Sequence, residues 1–423
     1  MKKIITPFFI CLFSALITNA QTALNYGVNL AGAEFGDVFP GVYDTDYTYP
    51  SNSVLDYYSG KGLKLIRLPI KWERIQPTMN AALNTAELNR ITAVIDYANT
   101  KGMQVIVDMH NYGRRSINGT EKIIGANGLP VANIKDGWTR LATALKNKTN
   151  IFGYDIMNEP HDMLQSTSWF SIAQQIITGI RSSDLTTTII VSGDDWSSGE
   201  RWMQSSDNLK NLVDVSDKLI FQAHVYFDAD ASGEYAGTYD SEGAYPNVGV
   251  DRVTPFITWL NTNGLKGYVG EYGIPGDDAR WNVALNNFLT YLASNCVNGT
   301  YWAGGEWWDT YNLSIEPLNG VDKPQMATVK NFLSIPLGNC PLLTSSNGIQ
   351  NDTKALNIYP NPATDQLMIK GLNVNDRVQI MNVEGQIVKD FIYNNSVFSI
   401  SDLNSGIYFI SVNAVQNSKF IKD

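Results

Sequence analysis

Residues 151–160 read IFGYDIMNEP, an apolar stretch that ends abruptly in polar residues. The apolar and aromatic part is typical of a strand that is buried on both faces. Pro160 cannot continue a hydrogen-bonded ladder, so the strand is expected to end at Asn158 and Glu159. An unpaired carboxylate is costly to bury in such a place. Either Glu159 pairs with a nearby Arg or Lys for structural reasons, or it lies at the mouth of a functional site.

Similar apolar segments recur along the chain between residues 24 and 337, and amphipathic helical patterns separate them. This alternation predicts an α/β fold, a closed parallel (β/α)8 TIM barrel. An open doubly wound sheet is the rival, but residues 29–34 read NLAGAE and contain no GxGxxG turn. The predicted strands are 26–30, 63–68, 104–109, 152–157, 188–191, 219–223, 267–270 and 300–303, and the helical patterns include 87–99, 134–146, 169–181, 255–263 and 280–294.

The two ends of the chain differ from this central part. Residues 1–20 place Lys2 and Lys3 before an apolar core and small residues, the order of a secretory signal peptide. The apolar core is too short for a transmembrane anchor, and no later stretch is apolar enough to span a bilayer. The central domain is therefore assigned to residues 21–337. A linker rich in Gly, Asn and Ser follows at 338–355.

Residues 356–423 contain no Trp, His or Cys and show short alternating strands at 366–369, 378–381 and 407–412. This pattern predicts a small all-β sandwich domain.

The charge of the chain limits its partners. Removal of the signal peptide changes the formal charge from -10 to -12. An acidic surface disfavours nucleic acid and anionic membranes, so we expect a neutral partner. We also expect a monomer. Two cysteines then remain, Cys296 and Cys340. In an oxidising compartment they can pair, but the sequence does not show whether they come close enough.

In a (β/α)8 barrel the active site lies at the C-terminal ends of the strands. All three histidines of the chain fall at predicted strand exits, as do two glutamates flanked by small or turn-forming residues. A single polar residue at a strand end is usually structural, but here almost every exit has one. The residues at these exits include Arg67, Asp108, His110, Asn111, Tyr112, Asn158, Glu159, His161, Asp194, Asp195, Trp196, His224, Tyr226, Glu271, Trp302 and Glu306.

Two carboxylates on different strands, Glu159 and Glu271, suit glycoside hydrolysis, in which one protonates the leaving oxygen and the other acts on the anomeric carbon. The two groups then need different pKa values. Arg67, His110 and Tyr226 are placed to keep one carboxylate ionised through charge and hydrogen bonds. The structural alternative for Arg67 is an ion pair inside the barrel.

Aromatic residues near the strand exits fit a sugar ligand. Trp196, Trp302, Trp307 and Trp308 lie there, and tryptophan has a flat apolar face that stacks on pyranose rings. Core packing is the alternative, and it explains Trp259 and Trp281, which lie on helical patterns.

Metal chemistry is the competing use of the polar residues. His110, His161 and His224 with Asp108 can in principle hold a catalytic zinc. The HxH and HExxH patterns of many metal-dependent hydrolases are absent from the sequence. We therefore predict neither a metal nor another cofactor.

The barrel segment resembles the family 5 glycoside hydrolases, in particular the secreted endo-β-1,4-glucanases (cellulases). This resemblance implies a retaining double displacement on a polysaccharide, with Glu159 as general acid/base and Glu271 as nucleophile. The motifs that carry it are Gly27-Val28-Asn29, Arg67-Leu68-Pro69, Asp108-Met109-His110-Asn111-Tyr112, Asn158-Glu159-Pro160-His161-Asp162, His224-Val225-Tyr226 and Gly270-Glu271.

The same resemblance implies roles for the residues around the two glutamates. Asn158 would bind the sugar 2-hydroxyl, Arg67 and Tyr226 would tune Glu271, and Trp302 would stack on the non-reducing side. The other expected substrate-binding residues are His110, Asn111, Tyr112, Trp196 and His224. Residues 303–315 depart from the usual cellulase pattern, which leaves mannan, mixed-linkage glucan and xyloglucan open as alternative substrates.

The C-terminal segment resembles the sorting domain of the type IX secretion system. It carries YPNPATD at 359–365, NVEG at 382–385, LNSGIY at 403–408 and a basic end at Lys419 and Lys422. The resemblance implies type IX machinery as a partner and a secreted or surface-attached protein, after periplasmic export. A carbohydrate-binding sandwich is the alternative for this domain.

For the whole protein, a non-catalytic glycan-binding barrel is the alternative. Such barrels usually lose one carboxylate, and this chain has both.

Overall fold

The computed structural model describes residues 23–308, 310–337, 340, 357–370, 372, 376–383, 386–393, 398–412 and 416–423. The predicted signal peptide, residues 1–20, lies outside the described residues. So does the predicted linker at 338–355, apart from Cys340.

Nineteen strands are assigned in the described residues. They are β1 (Ala23–Asn25), β2 (Gly27–Leu30), β3 (Leu65–Ile70), β4 (Gln104–Met109), β5 (Arg114–Ile117), β6 (Thr120–Ile123), β7 (Ile151–Asp155), β8 (Thr188–Ser192), β9 (Leu219–His224), β10 (Gly267–Tyr272), β11 (Asn298–Gly304), β12 (Ser334–Pro336), β13 (Asn357–Tyr359), β14 (Gln366–Lys370), β15 (Arg377–Met381), β16 (Ile387–Ile392), β17 (Phe398–Ser399), β18 (Gly406–Val412) and β19 (Gln416–Lys422).

The helices surround the barrel strands, and a 3₁₀ turn lies at Asp207–Asn211. They are α1 (Asn52–Gly60), α2 (Trp72–Ile75), α3 (Thr85–Thr100), α4 (Val131–Leu145), α5 (Trp169–Arg181), α6 (Asp194–Ser197), α7 (Trp202–Ser205), α8 (Val248–Asn263), α9 (Ala279–Ser294) and α10 (Pro324–Val329). Among the described helices, none combines the length and the apolar character needed to cross a bilayer.

Eight parallel strands close into a barrel in the order β2, β3, β4, β7, β8, β9, β10, β11 and back to β2. The predicted (β/α)8 barrel is confirmed. β7 ends at Asp155, two residues earlier than predicted, because the chain then leaves the regular ladder. The Asn158 N–H donates to Met109 O, and Glu159 takes a left-handed φ of 43°. This bend carries Glu159 to the barrel mouth.

One predicted helix start was wrong. The pattern placed it at Pro255, since proline is common in the first turn of a helix. The structure begins α8 at Val248 and continues through Pro255. The buried side chains of Val248 and Val253 explain the earlier start, because their packing extends the helix against the core.

The interior of the barrel changes from apolar to polar along the strands. Leu65, Ile106, Ile190 and Tyr268 form a small buried cluster at one level. Side chains two residues further along a strand face the same way, so Arg67 on β3 stands above Leu65. The same step places Asp108 above Ile106 and Ser192 above Ile190. The polar layer therefore lies toward the C-terminal ends of the strands, where the predicted site is.

The two ends of the barrel segment meet at the opposite face of the barrel. β1 pairs antiparallel with β12, and the Tyr26 N–H donates to Leu333 O at 3.0 Å. Cys296 and Cys340 form a disulfide with a Cα–Cα distance of 5.6 Å, which answers the pairing question that the sequence left open.

The described strands of the C-terminal region form a three-stranded sheet (β13, β14, β17) and a four-stranded sheet (β16, β15, β18, β19). Buried side chains from both sheets, such as Leu367, Val378, Ile410 and Phe420, share one core. The predicted all-β domain is confirmed.

Candidate active site

A fully buried guanidinium, that of Arg67 on β3, organises the mouth of the barrel. Arginine presents its donors in a rigid planar fork, so its acceptors are held in fixed positions. Five residues surround it: Asn29 (Nη1 to Oδ1, 3.0 Å), Asp155 (Nε to Oδ2, 2.8 Å), Asn158 (Nη2 to Oδ1, 2.7 Å), Glu271 (Nη1 to Oε1, 2.8 Å) and Asp108 (Nη2 to Oδ2, 3.1 Å).

The charges in this cluster do not balance. One guanidinium faces three buried carboxyl groups, those of Asp108, Asp155 and Glu271. Burial raises the pKa of Asp108 and of Asp155, because an ionised carboxylate is poorly solvated there, although Arg67 opposes the shift. The cluster therefore holds protons near neutral pH more readily than exposed carboxylates do.

Glu271, on β10, is held at both oxygens. Arg67 donates to Oε1 at 2.8 Å, and the Tyr226 hydroxyl donates to Oε2 at 2.7 Å. Hydrogen bonds from a cation and from a phenol favour the negative form of a carboxylate. The two contacts fix both carboxyl oxygens of Glu271 at the barrel mouth.

Glu159 lies in a different environment. Its main partner is His224, whose Nδ1 is 2.6 Å from Oε1. Burial raises the pKa of Glu159 to about 7, and burial lowers the pKa of His224 to about 4. His224 is thus neutral near pH 7, and an Nδ1–H tautomer donates to Glu159. One ligand atom each from Glu159, His224 and Glu271 lies within 4.8 Å of the others.

A second histidine continues the network. His110 Nδ1 is 2.7 Å from Asp108 Oδ2, and its Nε2 is 3.1 Å from the Tyr112 hydroxyl and 3.3 Å from Asn158 Nδ2. Burial holds the pKa of His110 well below its usual range. A neutral ring that donates from Nδ1 to Asp108 and accepts at Nε2 satisfies all three contacts.

Two cavities lie at the barrel mouth. The first, of about 580 Å³, is lined by Glu159, His161, Trp196 and His224, and is called here the Trp196 cavity. The second, of about 400 Å³, is lined by Lys71, His110 and Trp302, and is called the Lys71 cavity. Tyr112, Arg114 and Glu121 line both, so the two cavities are neighbouring parts of one cleft.

The structure brings most of the predicted site residues together. Trp302 lies parallel to His110, with ring centroids 5.6 Å apart. Trp196 is stacked on His161 with centroids 4.2 Å apart and is 41% exposed. Asn111 lines the Lys71 cavity, but its amide is engaged elsewhere: Oδ1 accepts from the Trp72 N–H, and Nδ2 donates to Glu73 and to Arg114 O.

Some residues near the barrel mouth were not among the predicted site residues. Lys71 stands four residues beyond Arg67, past the proline that was taken as the end of the strand motif. Asp155 lies within an apolar run. The one sign that it points into the barrel is that Gly153, two positions earlier on the same strand, also faces inward. Tyr311 belongs to the segment 303–315 and was not predicted, but its ring stacks at 4.4 Å on that of Trp308, which was predicted to lie near a strand exit.

Residues 22–308 match the family described as Cellulase (glycosyl hydrolase family 5). The chain belongs to glycosyl hydrolase family 5. Residues 357–423 of this family 5 chain match the Secretion system C-terminal sorting domain.

Similar proteins are found among characterised and solved family members. Endo-beta-1,4-glucanase B of Aspergillus niger is 32% identical over 299 residues, which cover 70% of this chain and 86% of that protein. The structure of Pseudomonas stutzeri endoglucanase Cel5A in complex with cellobiose is 40% identical, with a TM-score of 0.70, over 74% of this chain and 95% of that one. An endo-beta-1,4-glucanase from Xanthomonas axonopodis pv. citri is 35% identical, with a TM-score of 0.67, over 73% and 98%.

Proposed function

We propose that this family 5 protein is a secreted, retaining endo-β-1,4-glucanase that cleaves cellulose or a related β-glucan. The observation that carries the proposal is the contrast between two neighbouring carboxyl groups. Glu271 receives hydrogen bonds from Arg67 and Tyr226, whereas Glu159 has a pKa of about 7. A retaining enzyme needs one charged nucleophile and one proton donor at close range.

The chemistry follows from these two states. Glu271 attacks the anomeric carbon, while Glu159 gives its proton to the departing glycosidic oxygen, so a covalent glycosyl–enzyme bond replaces the glycosidic bond. Glu159, now ionised, takes a proton from water, and the resulting oxygen displaces Glu271 from the anomeric carbon. Retaining enzymes hold their carboxyl groups about 5–5.5 Å apart, and inverting enzymes about 6.5–9.5 Å. The 4.8 Å limit between ligand atoms of Glu159 and Glu271 favours the retaining class.

Asn158 and His224 support the two glutamates. The Asn158 amide is fixed by Arg67 and lies beside His110, where it can bind the sugar hydroxyl next to the reacting carbon. His224 orients Glu159 through its 2.6 Å contact. The two neighbouring cavities, one lined by Glu159 and Trp196 and the other by His110 and Trp302, together form an extended cleft, which suits internal cleavage of a long chain.

The chain is also proposed to use its C-terminal domain, residues 356–423, for export by the type IX machinery, which makes the protein secreted or surface-attached. In this proposal the catalytic domain spans residues 21–337 and acts as a monomer. The proposed reaction uses Glu159 and Glu271 and requires neither a metal nor an organic cofactor.

A substrate panel tests the proposal. Purified protein is incubated with carboxymethyl cellulose, barley β-glucan, mannan and xyloglucan, and new reducing ends and product lengths are measured. We expect internal cleavage of the β-1,4-glucans. Faster cleavage of mannan or xyloglucan would reassign the substrate within the family, and binding without release of reducing sugar would favour the non-catalytic alternative.

A further inference from the structure

Lys71 occupies a position that the proposed reaction does not use. It follows β3 directly and precedes α2, and its side chain lines the Lys71 cavity. The ammonium donates to the backbone carbonyl of His110 at 2.6 Å. It lies 5.2 Å from the ring centroid of Tyr112 and 5.9 Å from that of Phe39. A cation is thus held between two aromatic rings at the edge of the cleft.

The ammonium has more donors than its protein partners use. Lysine carries three N–H donors, and within the described residues His110 O is the one hydrogen-bond acceptor found for Lys71. Burial lowers the pKa of Lys71, but the carboxylates of Glu34, Glu73 and Asp108 favour its charged form. A half-buried ammonium gains stability from further acceptors, because its remaining hydration is restricted.

The surroundings of Lys71 match the surface of a sugar. A glucosyl unit has apolar ring faces and a rim of hydroxyl groups, and the cavity combines the rings of Phe39, Tyr112 and Trp302 with cationic donors, of which Lys71 lies beside the Tyr112 and Phe39 rings. Aromatic faces stack on the first feature, and a fixed donor binds the second.

One wall of this cavity is held in place by a buried arginine. The buried guanidinium of Arg74 donates to the backbone carbonyls of Ala33, Phe35 and Pro40. Its guanidinium carbon also lies 5.3 Å from the Phe39 ring centroid. This clamp holds the loop that supplies Phe39, so little ordering is needed when a sugar binds beside Lys71.

We propose that Lys71 is a substrate-binding residue, whose ammonium donates to a hydroxyl or ring oxygen of a glucosyl unit on the non-reducing side of the cleaved bond. The inference rests on the proposed function and adds a residue that sets how long a glucan must be for rapid cleavage. The structural alternative is that Lys71 only supports the His110 carbonyl. In that case its removal affects all substrates alike.

The test uses nitrophenyl β-glycosides with one, two and three glucosyl units. The nitrophenyl group fixes the reducing end, so each added unit extends the substrate to the non-reducing side only. Wild type, Lys71→Met, Lys71→Gln and Lys64→Met are compared in the full-length protein, with nitrophenol release, product chromatography and thermal unfolding measured for each. Lys64 is the matched control, since its ammonium donates to Ser59 and Lys101 outside both cavities.

Each added glucosyl unit raises kcat/KM by some factor. In Lys71→Met we expect this factor to shrink about 10- to 100-fold for one of the added units, because that is the contribution of a charged hydrogen bond. The factors for the other units and the Lys64→Met profile should match wild type. Lys71→Gln can still donate to His110 O, so a similar loss there identifies a role in binding and remains informative if Lys71→Met does not fold. Unchanged factors, or an equal loss on all three substrates, would overturn the inference. A wild-type protein that cleaves no glucan would instead refute the proposed function itself.

Discussion

Raising the pH through neutrality should inactivate this glucanase by removing the proton from Glu159. Burial raises the pKa of that group to about 7. The protonated form is the active one in the first step, so kcat/KM should be constant just below this pH and fall above it. Glu159 is then about nine-tenths protonated at pH 6 and about one-tenth at pH 8, which gives a tenfold loss per pH unit at higher pH.

The assay is kcat/KM against pH for a cello-oligosaccharide and for dinitrophenyl β-cellobioside. The dinitrophenolate leaves without protonation, so Glu159→Ala should retain far more activity on it than on the oligosaccharide, and its profile should lack the alkaline limb. Glu234, exposed in the loop after β9, provides the control, and Glu234→Ala should keep the wild-type limb.

Two results would refute this reasoning. The first is an alkaline limb that persists unchanged in Glu159→Ala with the activated substrate, since another group would then supply the pKa. The second is an equal loss on good and poor leaving groups, which a general acid does not produce. His224 cannot account for the limb, because its pKa is lowered to about 4.

Four further outcomes are expected. Glu271→Gln should fold with an unchanged melting temperature and lose nearly all turnover, and substantial hydrolysis by the pure variant would place the nucleophile elsewhere. Tyr226→Phe removes one hydrogen bond to a buried carboxylate, so kcat/KM should fall about 10- to 100-fold while the circular dichroism spectrum stays the same; an unchanged rate would show that the 2.7 Å contact does not matter for catalysis. Chelation with EDTA should leave activity intact, and a loss that zinc restores would establish a metal enzyme. The disulfide spans 44 residues, so replacing Cys296 and Cys340 by Ser should lower the free energy of unfolding by about 4 kcal/mol in the chain-entropy model; calorimetry with and without reductant tests this, and an unchanged wild-type melting temperature under reduction would contradict it.

Much of the architecture could be predicted because the barrel strands carry strong local signals. Residues 104–109 were predicted as a strand and are found as β4, and 169–181 were predicted as a helix and are found as α5. Parallel strands buried on both faces are apolar throughout, and α5 has a capping Ser168 before a regular apolar face.

The elements that were missed have weaker signals. The β5–β6 hairpin pairs Arg114–Ile117 with Thr120–Ile123, short segments with many charged and polar residues and no clear alternation. Its role in lining both cavities comes from its place over the cleft, which no local pattern shows. The start of α8 was misplaced for a related reason, since packing against the core outweighed the usual meaning of Pro255.

The candidate site also has a part that the sequence predicts and a part that it does not. Glu159 and Glu271 stand out because carboxylates are rare after apolar strands, and barrel closure then brings distant residues together. Sequence could not show that Arg67 binds Asp155 as well as Glu271, nor that Asn111 uses its amide on Trp72 and Glu73. Such partners depend on side-chain directions inside the barrel rather than on spacing along the chain.

The pairing of β1 with β12 has a consequence for how the enzyme is displayed. Both strands lie at the edge of the barrel where β2 begins, whereas the cleft opens at the edge where the strands end. The chain therefore leaves the catalytic domain toward its tail on the side that faces away from the glucan. Attachment to a cell through that tail would begin on the face of the barrel opposite the groove that receives the polymer.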